Sequence, residues 1–170
     1  MQTWQAMTSR RNVRQFSDAE LQPGDLDRIL EAGRRSPSAR NRQPWDFILV
    51  TDREQLAALA EVWKGAWHVA NARAAVAVVA PMVTPSELAT LHFDLGQATI
   101  SMMIAAADLG VGTAHASVSD QNLARDLLGF PEDRFCSNLI SLGMPADEEL
   151  VPIKNLNRRP FDEVVHRDRW

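Results

Sequence analysis

Cysteine is almost missing: Cys136 is the only one in the chain, so no intrachain disulfide can form. Its place in the apolar run at 135–140 reads as a buried, inert thiol in a reducing compartment. Tyrosine is absent altogether, although tryptophan occurs five times. No stretch approaches the roughly 18 apolar residues of a membrane span, and residues 1–5 lack the basic then apolar pattern of a secretory leader. A cytoplasmic protein with no membrane partner is expected. The histidines, His68, His92, His115 and His166, have no metal-like spacing and no clustered carboxylates or cysteines beside them, so no metal site is expected. There is no Gly-Lys-Ser/Thr phosphate loop, no G-x-G-x-x-G after a strand and no G-x-S-x-G elbow. A net charge of −4 and mostly scattered basic residues argue against nucleic acid.

What is present is the balance of one globular domain over residues 1–170, with 45% hydrophobic and 24% charged residues. Leu26, Ile29, Leu30 and Gly33 recur at helical spacing after Pro23, and that helix ends near Ser36 and Pro37. Residues 36–44, with two prolines and few apolar side chains, read as a loop. Residues 45–51 suit a strand, and Asp52 followed by Gln55 caps a helix that places Leu56, Leu59, Ala60 and Trp63 on one face. The valine-rich run at 74–80 reads as a strand buried on both faces and ended by Pro81.

Thr84, Pro85 and Glu87 start the longest helix, expected to run to about Leu109 with Gly110 as its stop. Small and apolar residues cover nearly all its faces, so it is expected to be central. A strand at 111–118, a helix at 120–128 stopped by Gly129 and a strand at 135–142 complete the pattern. Helices and strands mix without strict βαβ alternation, which favours an α+β sheet covered by helices. The tail beyond Gly143 has little periodic signal. Trp4 and Trp170 stand almost at the chain ends, where polar, frayed segments are usual, so both ends are expected to dock, the tail on a partner subunit.

Four features carry chemical potential. Arg10, Arg11, Asn12 and Arg14 form either a solvated basic turn or a phosphate grip, since guanidinium groups bind phosphate bidentately. Arg158 and Arg159 form a second basic pair, which reads equally as a plain basic tail. Residues 36–45 are a helix-to-strand connector or a binding loop. Residues 110–115 contain two glycines, which permit either a helix stop or close approach of backbone to a flat ligand.

Taken in order, these features resemble the short, single-domain branch of the FMN-dependent nitroreductase family. The resemblance rests on Arg-Arg-x-Val-Arg-x-Phe at 10–16, Ser-Pro-Ser-x-x-Asn-x-Gln-Pro-Trp at 36–45, Ala-x-x-Leu-Gly-x-Gly at 106–112, and the close from Leu142 to Pro145 and Arg158 to His166. It implies an α+β nitroreductase-like sandwich with a central mixed or antiparallel sheet, assembled as an intertwined homodimer with FMN at the interface.

By position, the resemblance gives Arg10, Arg11, Arg158 and Arg159 to the phosphate, and Asn12 and Arg14 to the ribityl chain and pyrimidine edge. It brings Pro37, Ser38, Ala39 and Asn41 from the other subunit, and places Gly112, Thr113, Ala114 and His115 behind the ring, with a backbone N–H toward N5. His115 is then either a ring contact or a core residue. No catalytic side chain is implied, because the cofactor carries the hydride. The implied activity passes electrons from NAD(P)H to a nitroaromatic, quinone or similar acceptor. Alternatives are a flavin carrier or sensor, substrate dehydrogenation, flavin breakdown or deazaflavin binding. The stretch at 64–73 is shorter than the helical excursion of longer members, which leaves the pocket's cover open.

Overall fold

The run at 74–80 has no polar side chain, and it forms the buried middle of a four-stranded sheet. In the computed structural model, which describes residues 2–147, 149–155 and 157–170, β1 (Asp46–Val50), β2 (Ala74–Pro81), β3 (Gly112–Ser117) and β4 (Arg134–Gly143) lie in the order β1-β2-β4-β3, every pairing antiparallel. Successive side chains of β2 alternate between two cores, as strand geometry requires. Val76 and Val78 face Ile29 of α2 (Pro23–Arg34) and Leu95 and Met102 of α4 (Pro85–Asp108). Ala75, Ala77 and Val79 face Leu56 and Leu59 of α3 (Arg53–Leu59) and Ala124 of α5 (Gln121–Leu128). The result is the expected α+β sandwich, with an antiparallel sheet between two helical layers.

The local signals that start and stop these elements are polar. Asp52 accepts the Gln55 N–H at 2.8 Å, and Asp120 accepts the Leu123 N–H at 2.9 Å, so each carboxylate satisfies one orphan donor of its helix. Gly129, at φ 72°, ends α5 in the left-handed conformation that glycine adopts without steric cost. At α4 the capping differs from expectation. The Thr84 hydroxyl donates to the Glu87 carboxylate at 2.8 Å and accepts no backbone N–H of the helix. Together with Arg42, it holds the Glu87 carboxyl below its usual range.

One further expectation is corrected. The helix after Asp52 stops at Leu59, and Trp63 is extended (φ −163°, ψ 138°) between two 3-10 turns, Ala60–Val62 and Lys64–Val69. Its indole lies over Gly65, where a side chain would overlap the ring, so local packing of Trp63 on a bare backbone replaces the helical turn. At the N-terminal end, α1 (Thr3–Ser9) packs on α4 and buries Ala6 and Ser9, whereas the outermost tryptophans and the tail lie free of this chain. Trp4 is exposed, Trp170 is 100% exposed, and the described tail residues from 157 onward are all exposed. The tail includes one short helix, α6 (Phe161–Val164).

Candidate active site

The site begins with two glycines facing each other across the β3–β4 ladder, Gly112 and Gly143. A Cβ on Gly112 would lie 2.9 Å from Val13, and one on Gly143 would lie 2.7 Å from the Phe16 ring. Their bare backbones therefore form a seat on which residues 12–16 rest. Asn12 pairs with Thr113 in the parallel sense, the Val13 N–H donates to the Thr113 carbonyl at 2.8 Å, and the Ser17 N–H donates to the Met144 carbonyl at 2.9 Å. The close approach that Gly112 permits is thus made by Val13. The sequence alone left a helix stop or a flat ligand open there.

This seat fixes what the rest of β3 presents. Because the Thr113 carbonyl faces outward to Val13, the two-residue period of the ladder turns the N–H and C=O of His115 and Ser117 outward as well. β3 is the last strand of the sheet, so these groups point to an open edge. The side chains of His115 and Ser117 are exposed, whereas those of Ala114 and Ala116 are buried. His115 is therefore a surface residue of the site; the core alternative does not hold.

Two cavities meet at His115. One, of about 490 Å³, is lined by Arg14, Trp63, Gly65, Trp67, His115 and Ser117. The other, of about 390 Å³, is lined by Arg10, His115 and Asn138 together with the α4 residues His92, Thr99 and Met103. Arg14 thus lines one cavity and Arg10 the other, with His115 common to both. The Arg10 guanidinium donates to Asn12 Oδ1 at 3.4 Å.

The buried histidine of this region is one that the sequence did not single out. His68 is fully buried, with Nδ1 2.8 Å from the Ser141 hydroxyl. That hydroxyl donates to the Ala114 carbonyl at 3.1 Å, so its oxygen accepts from Nδ1–H, which assigns the tautomer from the network. Nε2 is then a bare, buried acceptor with no partner among the described residues. Burial first, then the Arg14 and His115 charges, push the His68 pKa down to about 4. A neutral imidazole thus ties the 3-10 turn to the strand pair behind the cleft. Cys136 is buried, and burial raises its thiol to about 12, which makes it inert as expected.

The remaining expected residues are placed as follows. Arg11 donates to the carbonyls of Glu149 (2.9 Å) and Val151 (3.3 Å), which clamps the root of the tail. Arg158 donates to the neighbouring Asn157 carbonyl, and Arg159 pairs with Glu163; both are exposed and make no described bond to Arg10 or Arg14. Pro37, Ser38, Ala39 and Asn41 lie on the connector between α2 and β1, which is tied to α4 through a hydrogen bond from the Ala39 N–H to Asp94. Asp94, Trp63 and Trp67 were not foreseen as site residues. For Asp94 the available signal was a carboxylate in helical register with the apolar positions Leu91, Leu95, Ala98 and Met102. Among the described residues no cluster of metal-ligating side chains occurs and no helix is long and apolar enough to cross a membrane.

With this geometry in hand, similarity to known proteins is informative. Residues 7–91 match the model of the Nitroreductase family. A relative from Archaeoglobus fulgidus is 34% identical over 167 residues, covering 95% of each chain, and its name pairs NADH dehydrogenase with NAD(P)H nitroreductase. A crystal structure from Parabacteroides distasonis under the same paired name superposes with a TM-score of 0.85 at 28% identity, covering 100% of this chain and 99% of that one. An FMN-dependent nitroreductase from Clostridium difficile superposes at 0.84 with 23% identity, over 97% and 98%. The chain belongs to the nitroreductase family.

Proposed function

We propose that residues 1–170 form one domain that works as an FMN-dependent NAD(P)H oxidoreductase in a homodimer, with a nitroaromatic, quinone or similar planar compound as acceptor. The observation that carries this reading is the open β3 edge at His115, bracketed by Arg10 and Arg14. Its donor set fits FMN. Arg10 offers a guanidinium for a phosphate, Arg14 a cation for the electron-rich pyrimidine edge, and His115 an outward backbone N–H between them. The family membership and the FMN named for the C. difficile protein support it.

When bound, FMN supplies hydride transfer at N5, so the protein needs no side-chain acid or base. Arg14 stabilises negative charge that develops at the pyrimidine end, a preorganised electrostatic effect. The Gly112–Gly143 seat holds the segment that carries Arg14 in register with the strand. Ala114 and Thr113 are buried beside it, so they shape the wall, while Asn12 is available to the ribityl chain. Arg11 clamps the tail root, and through it the tail that carries Arg158 and Arg159 toward the phosphate.

The homodimer completes the site. Phe93 and Ile100 of α4, Trp4, Phe161 and Trp170 are large exposed apolar side chains, and apolar patches of that kind mark interfaces. In the dimer, Pro37, Ser38, Ala39 and Asn41 of one subunit pack on the flavin of the other. The test is anaerobic mixing of the purified yellow protein with NADH or NADPH. Rapid bleaching is expected; a flavin that stays oxidised for minutes with both donors refutes the enzyme in favour of a carrier. The mass of the heat-released cofactor should be that of FMN, and a deazaflavin mass would overturn the cofactor assignment.

A further inference from the structure

Residues 37–44 hold a shape that their own backbone disfavours. Arg40 (φ 55°), Asn41 (φ 55°) and Gln43 (φ 49°) all lie in the left-handed region without being glycine. Such conformations persist only where the surroundings over-determine them. Apolar packing does not supply that restraint, because a cavity of about 730 Å³ opens beneath the segment, lined by Arg40, Gln43, Leu91, Asp94 and Arg134 among others. The restraint is polar. The Gln43 N–H donates to the Ser38 hydroxyl at 2.9 Å, and the Gln97 amide donates to the Pro37 carbonyl at 3.4 Å. The Ala39 N–H donates to both carboxylate oxygens of Asp94, at 3.1 and 3.0 Å.

Asp94 is the unusual member. It is 3% exposed and sits among the buried positions Leu91, Leu95, Ala98 and Met102 on the core side of α4, where the helical period calls for an apolar residue. Burying a carboxylate is costly unless it is hydrogen-bonded. Its hydrogen bonds are to the Ala39 N–H and, at 3.4 Å, to the Gln97 amide, both of which belong to the restraint on residues 37–44.

We propose that Asp94 is a positioning residue for the flavin site: by gripping the Ala39 amide from α4 it fixes the left-handed turn that presents Pro37, Ser38 and Ala39. This rests on the reading of those residues as the part that packs on the partner subunit's flavin.

The experiment uses the full-length protein with Asp94→Asn, which preserves size but removes the charge and one acceptor oxygen, and Asp94→Leu, which removes the acceptor altogether. Three quantities are read: amide hydrogen exchange at 37–44 in the apoprotein, affinity for FMN and for riboflavin, and the absorption spectrum of the bound flavin. Exchange at 37–44 should rise about tenfold in Asp94→Asn, as for a weakened charge-assisted bond, with β2 and the rest of α4 unchanged. FMN and riboflavin should lose affinity by the same factor, because these residues act on the ring they share, and the spectrum should shift.

Unchanged exchange at 37–44 overturns the proposal, and so does exchange that rises equally throughout β2 and α4, which would mark a purely structural role. Faster local exchange with both flavins bound as before also overturns it, by removing residues 37–41 from the flavin site while FMN binding at Arg10 stands. Asp94→Asn alone decides the matter if Asp94→Leu does not fold.

Discussion

The two arginine-bearing segments meet opposite fates in a single chain. Residues 12–16 rest on Gly112 and Gly143 and bond to β3, and Arg10 and Arg14, which flank Asn12 and Val13, each line a cavity that includes His115 before any ligand arrives. Arg158 and Arg159 hang on an exposed tail with local partners among the described residues. A preorganised segment contributes its binding energy without paying ordering entropy, whereas a tail must be ordered at the moment of binding. One half of the site is therefore built by the fold. On the proposed reading the other half awaits assembly, and dimerisation and flavin binding are then two readings of one event.

The largest effect should come from removing the unbuilt half. Deleting residues 156–170 takes away Phe161, Trp170 and both tail arginines, and should lower FMN affinity about a hundredfold or more, as expected for two charge-assisted contacts, while shifting the dimer toward monomer in light scattering. A truncated protein that remains a flavin-loaded dimer would break the comparison.

The built half should be sensitive to its seat. Gly112→Ala places a methyl against the β-branched, stiff Val13, and overpacking of this kind costs about 1–3 kcal/mol. Chemical denaturation should show that loss together with weaker FMN binding. If stability falls and binding does not, Val13 and the arginines are not coupled through the seat.

A comparable effect should follow from pH. His68, held down to about pKa 4 by burial and nearby positive charge, takes up its proton in the unfolded chain near the ordinary 6.5 but in the folded chain only near 4. Its neutral form therefore supports the fold fully above about pH 6.5, and that support is lost as pH falls toward 4, by about 2–4 kcal/mol in all. Denaturation midpoints measured between pH 7 and pH 4 check this. His68→Asn should flatten that part of the profile, and an unchanged slope would show that other groups carry it.

The smallest expected effect is at His115. Its side chain is exposed in the cleft, so His115→Ala should shift the flavin absorption while changing stability by less than about 1 kcal/mol.

Much of this was legible in the chain because it is local. The apolar run at 74–80, the Asp52 cap and the Gly129 stop each act within a few residues, so periodicity and capping rules find them. The resemblance nominated Arg10 and Arg14 but gave no sign of what holds the segment that carries them. What stayed hidden depends on partners remote in sequence. His68 meets Ser141, 73 residues away, and Asp94 meets Ala39, 55 residues away. Trp63 escaped because its helical spacing was right, while its packing over Gly65 overruled the propensity. Gly112 was recognised as a point of close approach, but its occupant, Val13, is set by the fold.

The central claim, that Arg10 in its prebuilt position grips the flavin phosphate, is tested most directly by one pair of titrations. Apoprotein of the parent and of Arg10→Ala is titrated with FMN and with riboflavin by fluorescence at fixed ionic strength, because salt screens such contacts. A bidentate, charge-assisted contact is worth about 1.5–3 kcal/mol, so FMN should bind roughly ten- to a hundredfold more weakly to the variant, with riboflavin, which lacks the phosphate, nearly unaffected. Equal FMN affinity in the two proteins, or an equal loss for FMN and riboflavin, would contradict it.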